Sequence, residues 1–169
     1  MKETKQKLEK WYEKEDPWNY KKKPHAIKRK EIILKMSAEY CGKILKKDKF
    51  ENALEIGAGE GWITKDLPAH NIYGYELSEN AKSRWPKNIN DFDSNIKYDL
   101  IIAPGVLYEQ YNYRKFLNLI REYSSGVVMT LAIKSWEIND LKKQIYETEF
   151  QHKQYIQKLR IYDATQGGL

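Results

Sequence analysis

Between residues 53 and 61 the chain reads Ala53-Leu54-Glu55-Ile56-Gly57-Ala58-Gly59-Glu60-Gly61, an apolar run that ends in three glycines at alternate positions. A second apolar run follows and closes on an acid, Glu76. A strand entering such a turn can bend sharply because Gly57 and Gly59 carry no β-carbon, and a ligand can lie against bare main chain. Gly61 lets the next helix begin close to the sheet. Glu76 falls where an open α/β sheet offers a carboxylate to the two hydroxyls of a ribose. Strand, turn, helix, strand and acid in this order require a layered α/β fold.

The turn also excludes two phosphate-binding motifs. A dinucleotide fingerprint spaces its glycines G-x-G-x-x-G, and the third glycine brings a helix N-terminus to a pyrophosphate. Here the spacing is G-x-G-x-G, with Trp62 at the position of that third glycine. A P-loop needs Gly-Lys-Ser/Thr, and Gly61-Trp62-Ile63 supplies neither the lysine nor the hydroxyl. Glu55 and Glu60 place negative charge beside the turn, which suits a sulfonium and an α-ammonium better than phosphates.

The rest of the chain alternates helical and strand patterns. Leu8, Trp11, Tyr12 and Glu15 fall three and four apart, so residues 3–15 are expected to form an amphipathic helix. It stops at Asp16-Pro17, because proline disfavours helix in the residue before it. An aromatic and basic connector over 18–24 leads into a second helix over 25–46, with Ile33, Met36, Ser37, Tyr40, Cys41 and Ile44 on one face. Strands are expected at 52–57, 71–76, 88–90, 99–103 and 127–133. Helices are expected at 61–67, 78–84, 112–122 and near 137–148. The tail from Phe150 to Tyr162 is ambiguous in pattern and holds no turn residue that would divide it into two strands. The alternation implies a mainly parallel sheet with helices on both faces.

With 169 residues the chain has the size of one domain. Its longest apolar stretch, Val127 to Ile133, is strand-sized and far short of a membrane span. The N-terminus has no apolar signal core, so a cytoplasmic protein is expected. Cys41 is the only cysteine and cannot form an internal disulfide. Its place on the apolar face marks it as a packed residue. Residues 1–50 hold 16 Lys/Arg against 8 Asp/Glu, whereas the remainder is slightly acidic. This asymmetry fits solvated outer faces of N-terminal helices, with attraction of an anionic partner as the alternative.

The glycine turn and Glu76 resemble the first motifs of class I S-adenosylmethionine-dependent methyltransferases, and the likeness covers roughly residues 50–135. The resemblance implies a doubly wound, mainly parallel Rossmann-like sheet of six to seven strands, the last antiparallel, with N-terminal helices. It divides a single domain into an N-terminal helical lid, 1–48, and a cofactor-binding core, 49–169. S-adenosyl-L-methionine is the implied cofactor. Glu55 would lie near its methionyl ammonium, with Gly57, Ala58, Gly59 and Gly61 under the methionyl and ribose parts. Glu76 would hold the ribose, and Leu77 and Pro104 would flank the cofactor. Asp91 and Phe92 would meet the adenine, with Asp93 as the competing acid. Asp16-Pro17-Trp18 is similar to a segment before the core in nodulation-type N-methyltransferases, where it helps cover cofactor and substrate.

Pro104-Gly105 replaces the polar pair that small-molecule methyltransferases often carry after the fourth strand. Tyr20, His25, Tyr108 and Glu109 are therefore the candidates to accept the acceptor's proton, with Tyr111 nearby. No Asp/Asn-Pro-Pro-aromatic motif follows that strand, and no Pro-Cys nucleophile is present. A small molecule or conjugate methylated on N or O is thus the expected acceptor. Two alternatives stay open: a nucleic-acid or protein methyltransferase recruited through the basic N-terminus, and a protein that cleaves or senses the cofactor without methyl transfer. The pattern implies no metal and leaves the oligomeric state undetermined.

Overall fold

The structure is a computed structural model of the full chain; it describes residues 2–107, 113–133, 144–152 and 155–163. Among the described residues, seven strands form one sheet: β1 (Phe50–Ile56), β2 (Ala69–Tyr75), β3 (Ile89–Asp91), β4 (Tyr98–Ala103), β5 (Ser124–Ile133), β6 (Gln144–His152) and β7 (Tyr155–Asp163). Their order across the sheet is β3-β2-β1-β4-β5-β7-β6. The first five run parallel, and β7 joins β5 and β6 antiparallel. The helices are α1 (Lys2–Trp11), α2 (Pro24–Glu39), α3 (Glu79–Lys82) and α4 (Tyr113–Tyr123).

The central strands are buried over their carboxyl-terminal portions, Ala53–Ile56 in β1 and Leu100–Ala103 in β4, because both faces are covered there. On one face Ala53, Leu100, Ile102, Val127 and Met129 pack with Ile33 of α2 and with Cys41. On the other, Leu54, Ile56, Ile101 and Val128 pack with Phe116, Leu117 and Ile120 of α4. Pro24 begins α2, where its fixed φ suits the first helical position. A wider π turn, Tyr40–Ile44, continues that helix and contains Gly42. Ala26, Ile33, Ser37 and Cys41 are the buried residues of this segment. Ser78 caps α3, its hydroxyl accepting from the Ala81 N–H at 3.2 Å.

Two local expectations need correction. The helix expected over 61–67 is only a turn followed by a 3-10 segment, Thr64–Asp66. The helix expected near 137–148 is strand from residue 144 onward, and 134–143 lie outside the described residues. The tail, whose pattern leaves its structure open, holds the end of β6 and most of β7. Leu159 and Ile161 alternate into one core and Tyr162 faces the other. Glu147 lies opposite Arg160 and takes its Nε–H at 2.7 Å, with Lys158 Nζ at the same distance. Pairing with the free edge of β5 stabilises these strands, and no short-range pattern in the tail encodes that pairing.

Candidate functional site

A cavity of about 490 Å³ opens at the carboxyl ends of β1, β2 and β4. This is where the strand order reverses, since β2 and β4 flank β1 on opposite sides. Open α/β sheets bind their ligands at such switch points. Glu55, Gly57, Ala58 and Gly59 form one wall, Tyr75, Glu76 and Leu77 another, and Pro104, Gly105 and Val106 a third.

The turn after β1 depends on its glycines. Gly57 and Gly59 adopt φ of 77° and 54°, in the left-handed region. A β-carbon on Gly57 would stand 2.2 Å from Val106 Cγ1, and one on Gly59 would stand 2.7 Å from Tyr12 Oη. The surface facing the cavity is thus bare backbone that no other residue type could supply. Gly61 also has a positive φ but packs beneath Ile89 and does not line the cavity.

Glu76 is held by the main chain around it. Its Oε2 accepts the Gly59 N–H at 2.9 Å, and Oε1 accepts the N–H groups of Leu77 and Ser78 at 2.8 and 2.9 Å. A carboxylate offers about four lone-pair positions, so three backbone donors fix it and leave capacity for a further donor. Glu55 sits deeper, only 3% exposed. Burial pushes its carboxyl up to about 8, opposed by the Thr64 hydroxyl, which donates to Oε2 at 2.5 Å, and by the nearby Arg29 charge. Arg29 also lines the cavity, as does Gln157 of β7. Arg29 Nε and Gln157 Oε1 are shielded from solvent and have no hydrogen-bond partner among the described residues.

The N-terminal segment roofs the cavity. Tyr12, at the end of α1, is buried against the glycine turn, and burial beside the Glu76 carboxylate raises its phenol. Trp18 donates its indole N–H to Tyr12 Oη at 3.3 Å. The rings of Trp18, Tyr20 and Trp62 then stack in sequence, with centroids 6.3 and 6.1 Å apart. Arg29 lies over Tyr20 at 4.9 Å, and Lys30 lies over Trp62 at 4.8 Å. Asp16 holds the connector in shape by accepting the N–H groups of Tyr20 and Lys21.

The roof is tied down at two points. Glu9 accepts from the Ser78 hydroxyl and from the Glu79 and Asn80 N–H groups at 2.8 to 3.1 Å. Those donors hold its carboxyl below the usual range. Glu60 accepts the Asp16 N–H with both oxygens and pairs with Arg84 at 2.8 Å. Arg84 also donates to the Lys14 carbonyl.

No family model and no curated protein matches the chain. Solved structures do. The chain is similar to the N-methyltransferase NodS from Bradyrhizobium japonicum WM9, solved with S-adenosyl-L-homocysteine, at a TM-score of 0.73 and 18% identity over 95% of this chain and 97% of that one. It is also similar to magnesium protoporphyrin IX methyltransferase ChlM from Synechocystis PCC 6803, solved with bound S-adenosylmethionine, at 0.63 and 11% identity over 93% and 95%. For the plantazolicin methyltransferase BpumL the values are 0.54 and 21%, over 78% of this chain and 62% of that one. The chain has the class I methyltransferase fold.

Within the class I methyltransferase fold, the candidate residues fall into three groups. Glu55, Gly57, Ala58, Gly59, Glu76, Leu77 and Pro104 line one cavity together with Tyr20 and His25. Tyr108, Glu109 and Tyr111 lie outside the described residues. Asp91 and Phe92, expected at the adenine, are not in the cavity wall. Asp91 is paired with Lys82 at 3.0 Å on the surface, because the edge strand β3 turns its carboxylate toward α3. Phe92 packs against Tyr75, Tyr98 and Tyr123 in the core. Tyr12, Arg29, Lys115 and Gln157 are cavity residues that sequence motifs did not mark. Tyr12 stood in the apolar stripe of the first helix, where a packed residue and a ligand-facing one look alike.

Proposed function

We propose that the protein is an S-adenosylmethionine-dependent methyltransferase acting on an N or O atom of a small molecule or conjugate. The observation that carries this reading is the bare-backbone turn facing a carboxylate fixed by three N–H groups, at the switch point of this fold. Relatives in fold were solved with S-adenosylhomocysteine or S-adenosylmethionine, which supports the same ligand here. Glu76 would hold the ribose hydroxyls, the turn from Gly57 to Gly59 would underlie the sugar and methionyl chain, and Glu55 would face the α-ammonium.

When bound, S-adenosylmethionine supplies a methyl group already activated by a sulfonium. What the protein must add is placement and shielding from water, which can account for much of the rate of an in-line displacement. Residues 2–23 serve as the cover: Tyr12 seals the glycine turn, and the Trp18-Tyr20-Trp62 stack forms a dry aromatic wall. Tyr20 and His25 line the cavity and would be the groups that take the acceptor's proton.

Incubation with methyl-labelled cofactor, with and without pools of amine and hydroxyl metabolites, tests the reading. Acceptor-dependent label transfer is expected. Cofactor breakdown that needs no acceptor would instead establish cleavage, and binding with neither outcome would leave a sensor.

A further inference from the structure

Tyr75, Leu77, Lys115 and Phe116 line the same cavity as Glu76. If Glu76 holds a ribose, the base attached to that sugar lies within reach of the residues that flank Glu76, Tyr75 and Leu77, and of Lys115 bonded to Tyr75. These four residues contribute two polar side-chain groups, the Tyr75 hydroxyl and the Lys115 ammonium. They are joined, with Lys115 Nζ donating to Tyr75 Oη at 2.8 Å. Lys115 comes from the first turn of α4, forty positions along the chain from Tyr75, and has no carboxylate partner among the described residues. Asp91, the acid that would otherwise read a 6-amino group, is held outside by Lys82.

An ammonium can only donate hydrogen bonds, so Lys115 can address a ring nitrogen of a purine but not its exocyclic amine. A phenol can do either. After accepting from Lys115, Tyr75 Oη retains a lone pair and its own O–H, and the O–H can rotate. Adenine presents a ring acceptor beside an N–H donor on one edge, whereas a 6-oxo purine presents two acceptors there. The Lys115-Tyr75 pair can satisfy both patterns. A carboxylate would accept only the first.

We infer that the Lys115-Tyr75 pair, in place of a carboxylate, reads the base of the bound nucleoside and tolerates an oxo group where adenine carries its amine. The inference rests on the cofactor reading above and assigns the residues that recognise the base within it. Lys115 is thus a specificity-determining residue of the site, and this chain departs here from the acidic recognition that its sequence suggested.

The test is calorimetric titration of the full chain with S-adenosylhomocysteine and with S-inosylhomocysteine. The two affinities should agree within about tenfold, whereas Lys115→Met should weaken both ligands by roughly tenfold, the scale of one charge-assisted hydrogen bond. Lys115→Arg should restore most of the loss, and circular dichroism should show all variants folded. The proposal is overturned if the inosine ligand binds more than tenfold weaker than the adenosine ligand. It is also overturned if folded Lys115→Met binds both as the parent does, or if Asp91→Asn costs more than tenfold. Failure of both ligands to bind the folded parent would instead remove the cofactor reading on which the inference stands.

Discussion

Glu55 is a carboxyl group that the fold keeps from water at the floor of the cavity. Its value is raised from 4.5 to about 8, so between those limits the folded chain holds a proton that the unfolded chain has released. Stability contributed by this group is therefore present at low pH and lost as pH rises toward 8, with a slope of up to about 1.4 kcal/mol per pH unit. Thermal melts of the ligand-free protein from pH 5 to 8.5 should show that fall. Glu55→Gln, which stays neutral, should flatten it, and an unchanged pH profile in the variant would remove Glu55 as its source. The neutral form also explains how an acid can sit at the base of a cavity beside Arg29 without a direct ion pair: burial disfavours the charge more than the nearby cation favours it.

We propose that access to the cavity depends on the roof. Its attachments are polar and lie at its margins, Glu9 on the start of α3 and Glu60 with Arg84 on the connector, while Tyr12 and Trp18 supply the apolar closure between them. Polar ties of this kind can open and reform without unfolding the sheet, because each is worth only about 1–3 kcal/mol. Arg84→Met removes the bond to Glu60 and the support of the Lys14 carbonyl together. It should speed release of S-adenosylhomocysteine by roughly tenfold in stopped-flow tryptophan fluorescence. The protein should otherwise remain folded. An unaltered release rate would show that the roof does not govern exchange.

At the scale of the whole molecule, what was legible in the sequence followed from how local each feature is. The glycine turn, the acid at the end of β2 and the alternation of helices and strands are short-range patterns, so they gave the parallel half of the sheet and most of the cavity floor. Strands β6 and β7 were not legible because their pairing depends on the edge of β5 and on Glu147 meeting Lys158 and Arg160 across the ladder. The Lys115-Tyr75 pair was missed for a similar reason. Lys115 reaches Tyr75 only after α4 packs on the sheet, and no spacing along the chain marks that meeting. Asp91 had the expected place after a strand, but α3 supplies Lys82 close enough to turn it away. The basic segment 1–50 behaves in part as a solvated surface, with exposed pairs such as Lys28 with Glu31 and Lys43 with Glu39.

The most direct measurement is calorimetric titration of S-adenosylhomocysteine into the full chain, followed by the same titration into Glu76→Ala. Saturable binding to the parent is expected, weakened in the variant by about 1–3 kcal/mol, or roughly fivefold to 150-fold. A folded parent that takes up no ligand, or a folded variant that binds as tightly as the parent, would contradict the assignment of this cavity to an adenosyl cofactor gripped through its ribose.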